Sequence, residues 1–108
     1  MTVYHWAGVE REQVNPLLTR QAIHGERMTV ARIHLGKGCV VPAHAHEQEQ
    51  ITVLQEGRLR FQIEGREVVL GAGDVLEIPP NAPHGVEALE DTVVFDIFSP
   101  PRADWRKS

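Results

Sequence analysis

Apolar and polar residues alternate with a period of two along much of this chain, the signature of half-buried strands. In Leu59-Arg60-Phe61-Gln62-Ile63, the three apolar side chains fall on one face and Arg60 and Gln62 on the other. The two-residue turn Glu64-Gly65 then leads into Arg66-Glu67-Val68-Val69-Leu70, which predicts a hairpin. Gly25-Glu26 opens a strand from Met28 to Leu35, with Arg32 and His34 on one face. If that face is inward, Arg32 meets an anionic ligand; if outward, it is solvated or ion-paired. Gly71-Ala72-Gly73-Asp74 turns into Val75-Leu76-Glu77-Ile78, and Thr92 to Phe98 reads as an apolar closing strand interrupted by Asp96. Earlier, Val9 to Asn15 predicts a short turn of helix stopped by Pro16, and Leu17 to His24 an edge strand. Short strands between Gly and Pro turns, with no sustained helical period, predict an antiparallel all-β sandwich or barrel.

A chain of 108 residues builds one core and no second domain. Its longest apolar runs are a few residues, and its start carries neither a basic region nor an apolar signal core, which predicts a cytoplasmic protein and no membrane span. The net charge is -4 and the Lys and Arg residues are scattered, so no basic stripe exists for nucleic acid and the expected partner is a small molecule. The one cysteine, Cys39, has no basic neighbour and reads as a small buried hydrophobe.

His44 and His46 lie two apart, so on a strand they point the same way and can close on one metal ion. If the strand stays regular, positions 44, 46, 48 and 50 share that face. Gln48 and Gln50 then point inward, Glu47 and Glu49 point away, and Gln50 becomes the fourth ligand. A third imidazole, His84, follows Pro79-Pro80-Asn81-Ala82-Pro83, where proline limits the backbone and sets its direction. Three imidazoles and a carboxamide suit one divalent transition ion, Mn, Fe, Co, Ni or Zn, and being neutral they leave its full charge in place. His5 and His24 have no companions at ligand spacing. Asp96 shares its strand face with Val94 and Phe98, a costly place for a carboxylate unless something pairs with it or uses it. Two readings stay open: a salt bridge to Arg102 that pins the C-terminus, or a functional role.

These residues also carry a family resemblance. Gly38, five residues, His44-x-His46, three residues, Gln50, six residues and Gly57 resemble the first cupin motif, with Gln at the usual Glu. Gly73, five residues, Pro79 and then Pro80 to His84 resemble the second, with Asn81 at the usual Gly. The resemblance implies a double-stranded β-helix, a jelly-roll-like barrel over residues 27–108 with a metal site in its mouth. It also implies that the arm 1–26 packs on the partner in a homodimer. The run Asp96-x-Phe98-Ser99-Pro100-Pro101-Arg102, with His44-x-His46-x-x-Glu49-Gln50, is similar to small cupins of pectin and alginate breakdown that convert 4,5-unsaturated uronates to the open-chain keto form. That similarity implies an anionic substrate, Asp96 and Arg102 as catalytic residues, and Phe98 and Gln55 as substrate contacts. Because a fold does not decide a function, two alternatives stand beside it: a metal-dependent oxygenase or other oxidoreductase, and a non-catalytic small-molecule binder.

Overall fold

The computed structural model describes residues 1–106 and arranges ten strands in two antiparallel sheets. The six-stranded sheet runs β1 (Glu12–Asn15), β2 (Leu18–His24), β3 (Thr29–Leu35), β10 (Thr92–Ser99), β5 (Glu49–Glu56), β8 (Val75–Ile78). The four-stranded sheet runs β4 (Val40–His44), β9 (His84–Ala88), β6 (Arg58–Ile63), β7 (Arg66–Gly71). This is the double-stranded β-helix of the cupin type, as the motifs imply. The expected hairpin is β6 and β7, closed at Ile63 opposite Arg66 by Glu64 and Gly65, both at positive φ (50° and 77°) as a two-residue turn that follows strand twist requires. Among the described residues no helix is long and apolar enough to cross a membrane.

Register explains where core and site fall. Across the six-stranded sheet, Ile33, Val94 and Leu54 stand side by side, and with Leu59 and Phe61 from the facing sheet they build the buried core. Full burial of a side chain such as Leu54 or Leu59 is worth about 1.5–3 kcal/mol. Two residues along, the same inner face presents Ala31, Asp96 and Thr52, and the next row presents Thr29, Phe98 and Gln50. Polar groups are thus collected at one end of the barrel, above an apolar floor. Because Ala31 and Ile33 point inward on β3, Arg32 and His34 face outward, so Arg32 takes the solvated-face reading.

Three local expectations need correction. Residues 12–15 form strand β1 and not a turn of helix, because Asn15-Pro16-Leu17-Leu18 is a tight turn in which the Asn15 side chain accepts from the Leu17 N–H (2.8 Å), folding β1 back on β2. So short a segment gains too little from helix formation to resist that pairing. With β1 outside it, β2 is an inner strand, hydrogen-bonded to β3 from Leu18 opposite Leu35 to His24 opposite Thr29. Residues 12–24 of the expected arm are therefore part of the sheet. Ahead of them Trp6 rests on Phe95 of the outer face, tied down by Gln21, whose Nε2 donates to the Trp6 (2.6 Å) and Val9 (3.0 Å) carbonyls. The third correction concerns the histidine segment. It is not one regular strand: β4 ends at His44, residues 45–48 bend, and β5 starts at Glu49 in the other sheet.

Candidate metal centre and its cavity

That crossing brings ligand-type side chains in from both sheets. His44 ends β4 and His84 begins β9, directly opposite, with ring centroids 4.4 Å apart. The pairing needs one extra residue in β4, a bulge at Pro42-Ala43 that presses its backbone onto Gly85. A Cβ on Gly85 would lie 3.1 Å from Ala43 N and Val41 O, so any larger residue there would push the β4 backbone back by a few tenths of an ångström. His46 comes from the bend. Asn81 N–H donates to its carbonyl (2.8 Å), which joins the two motifs, and Asn81 sits at φ 64°, a left-handed conformation that Gly or Asn adopts at least cost.

The ligand atoms of His44, His46 and His84 lie within 4.8 Å of one another, a cluster that could hold a metal ion. Each ring is oriented by the backbone two residues away: Nδ1 meets the carbonyl of Pro42 (2.9 Å) for His44, Gln48 (3.1 Å) for His46 and Ala82 (2.8 Å) for His84. A carbonyl only accepts, so each Nδ1 carries the proton and each Nε2 keeps a free lone pair. Burial lowers the pKa of His46 and His84, with Arg102 adding to the effect at both, so these rings stay neutral and ready to ligate.

Gln50 is buried beside them, with Oε1 3.1 Å from Nε2 of His46. Two lone-pair atoms facing each other at that distance suit a shared cation, since donors about 2.1 Å from one ion and at right angles stand about 3.0 Å apart. Gln50 does point inward, as parity predicts, but because of its place on β5 and not because one strand runs on from His44. Gln48 is buried too, but its amide donates to the Pro101 carbonyl (3.2 Å) and so ties the tail to the bend. Glu49 is exposed, as expected.

Two members of the cluster, His44 and His84, line a cavity of about 350 Å³, within the range of small-molecule sites. Asp96, Phe98 and Arg102 line it as well. The remaining exposure of Asp96 is to this cavity, and burial raises its pKa to about 6 against the pull of hydrogen bonds from Thr52 and Gln50 and the charge of Arg102. Thr52 donates to it at 2.7 Å. The salt bridge left open between Asp96 and Arg102 does not form: the Arg102 fork grips Asp104 instead (Nε to Oδ1 3.0 Å, Nη2 to Oδ2 2.8 Å), which holds the Asp104 carboxyl below its usual range. Arg102 also stacks on Trp105 (4.1 Å) and Phe98 (5.0 Å).

Gln55 is off the site. It is exposed at a bulge where the β5 partners of Val93 and Val94 jump from Glu56 to Leu54, and it does not line the cavity. The arginine missed in the sequence is Arg20, which lines the cavity and stacks on Trp105 at 3.9 Å. Its signal was parity, since it shares the β2 face of Leu18.

Fold and histidine cluster together define a cupin. The cupin domain model matches residues 31–98, and the chain belongs to that family. Within it, the chain is 37% identical over 75 residues, 68% of each protein, to the pectin degradation protein KdgF of Dickeya dadantii (strain 3937). The structure of KdgF from a Halomonas species superposes with a TM-score of 0.92 at 28% identity, covering 98% of this chain and 99% of that one. An RmlC-like cupin from Shewanella frigidimarina superposes with a TM-score of 0.90 at 29% identity, over 95% of this chain and 94% of the other.

Proposed function

We propose that this protein is a metal-dependent cupin that opens the ring of unsaturated uronate monosaccharides to the open-chain keto acid. The observation that carries the reading is a single cavity lined by His44 and His84 of the histidine cluster, by Asp96 with a carboxyl pKa of about 6, and by the Arg102 guanidinium stacked on Phe98. The likeness to two KdgF proteins, one described as a pectin degradation protein, supports an acidic sugar from pectin breakdown as the substrate.

His44, His46, His84 and Gln50 would hold the ion, a Lewis acid whose charge none of these neutral ligands reduces. Arg102 binds the substrate carboxylate through Nη1, since its other edge is on Asp104. Arg20, whose Nη2 is ion-paired with Glu12 at 3.0 Å, adds a second guanidinium to the wall, and Phe98 forms an apolar side for the ring. Ring opening breaks the C1–O5 bond of the hemiacetal. The C1 hydroxyl loses its proton as C1 becomes an aldehyde, and O5 gains one as an enol. Ketonisation then takes the enol proton and adds one at C4. Asp96 would accept and return these protons, and the sum is an isomerisation without net oxidation.

Protein purified without chelator and mixed with 4,5-unsaturated galacturonate is expected to bleach the absorbance of the conjugated double bond. Retained absorbance would sink the ring-opening reading; oxygen uptake tied to turnover would make the protein an oxygenase, and saturable binding with unchanged ligand mass a binder. A homodimer belongs to the same proposal, supported by the exposed apolar residues Met1, Val3 and Tyr4 at the N-terminus. Light scattering at micromolar concentration should return twice the chain mass, and a monomer mass refutes it.

A further inference from the structure

We propose that Thr52 is a positioning residue of the metal centre, fixing which end of the Gln50 carboxamide faces the ion. This rests on the metal reading above but not on the uronate one. Thr52 is fully buried on β5, in the same inward row as Asp96. Its hydroxyl donates to Asp96 Oδ1 (2.7 Å) and lies 2.9 Å from Gln50 Nε2. A hydroxyl has one proton. With that proton on the Asp96 carboxylate, Thr52 can only accept from Gln50, so the Gln50 NH2 must face Thr52 and the amide oxygen must face His46.

The two ends of a carboxamide are nearly equal in shape, so packing alone does not choose between them. Local hydrogen bonding at His46 would choose the wrong one. Nε2 of His46 has a free lone pair, and an NH2 turned toward it would make a hydrogen bond, whereas Oε1 at 3.1 Å makes none without an ion. The relay from Asp96 through Thr52, together with the direct hydrogen bond from Gln50 to Asp96, therefore holds the amide in a ligating orientation that the metal-free site would otherwise give up. Partners of this kind typically change metal affinity by about 10- to 100-fold when removed.

The test is a calorimetric titration of metal-free protein with Zn²⁺ alone, comparing wild type, Thr52→Val and Thr52→Ser. Thr52→Val keeps the shape and is expected to bind zinc about 10- to 100-fold more weakly, and Thr52→Ser, which restores the hydroxyl, to bind as wild type does. Equal zinc affinity in wild type and Thr52→Val overturns the relay alone. A wild type that binds no zinc overturns the metal reading and the relay with it. A measurement on the unsubstituted protein covers the case in which Thr52→Val fails to fold: in metal-free wild type, nuclear Overhauser contacts from the Gln50 NH2 should reach the Thr52 methyl. Contacts to the His46 ring CH between its nitrogens instead would overturn the proposal.

Discussion

Asp96→Asn is expected to lose about a hundredfold or more in kcat while becoming more stable at neutral pH, a combination that separates a proton-transfer group from a structural one. The stability half follows from burial. In the folded protein the carboxyl has a pKa of about 6 against an ordinary 3.8, so between those values the native state holds a proton that the unfolded chain has released. The contribution of Asp96 is therefore most favourable below pH 3.8 and is lost as pH rises through 6. At about 1.4 kcal/mol per pKa unit, the ionised group costs up to about 3 kcal/mol at pH 7. Asparagine has no such cost, and its oxygen still accepts from Thr52. Urea unfolding at pH 7 should show the variant ahead, with the advantage gone near pH 4. A fully active variant ends the ring-opening mechanism proposed for Asp96, and a variant less stable at pH 7 shows that the carboxylate charge is needed to hold the fold.

His44→Ala is expected to abolish both bound metal and turnover at almost no cost to the metal-free fold, because His44 is exposed at the cavity mouth. Surface substitutions of this kind usually fall within about 0.5 kcal/mol. An ion present at a hundred times its dissociation constant adds about 2.7 kcal/mol, and in a domain of this size that raises Tm by about 10 °C or more. Chelator should remove this increment from the wild type and leave His44→Ala unmoved; equal metal content in the two proteins, by elemental analysis, refutes the site. The pH dependence has a definite sign. His46 and His84 have pKa values below 6.5, so protons compete with the ion only on the acid side of that value. Metal affinity should be flat above about pH 6.5 and fall steeply below it. The same two rings reduce the stability of the metal-free protein as pH falls below 6.5, because the unfolded chain takes up their protons first.

Much of this molecule is determined locally and is legible in the chain. Period-two alternation and turn residues specify strands such as Thr29–Leu35 and the Arg58–Gly71 hairpin, since each depends on backbone geometry within a few residues. The histidine spacing likewise picks out His44, His46 and His84 as a cluster, and counting on in twos picks out Gln50 as inward, although the two lie on strands of different sheets. Alternation says which side of a strand a residue is on, but not which sheet the strand joins. Only the tertiary structure decided that the chain changes sheets between His44 and Glu49, and that the cavity lies on the β5 face of Gln50, Thr52 and Leu54, which leaves Gln55 outside. Charged partners are also chosen by distance in the folded state, so Arg102 took Asp104, its neighbour in the tail, and left Asp96 to Thr52. Arg20 entered the cavity for the same reason: β1 closed the outside of β2, and the inner face of a strand read as an edge became a wall of the site.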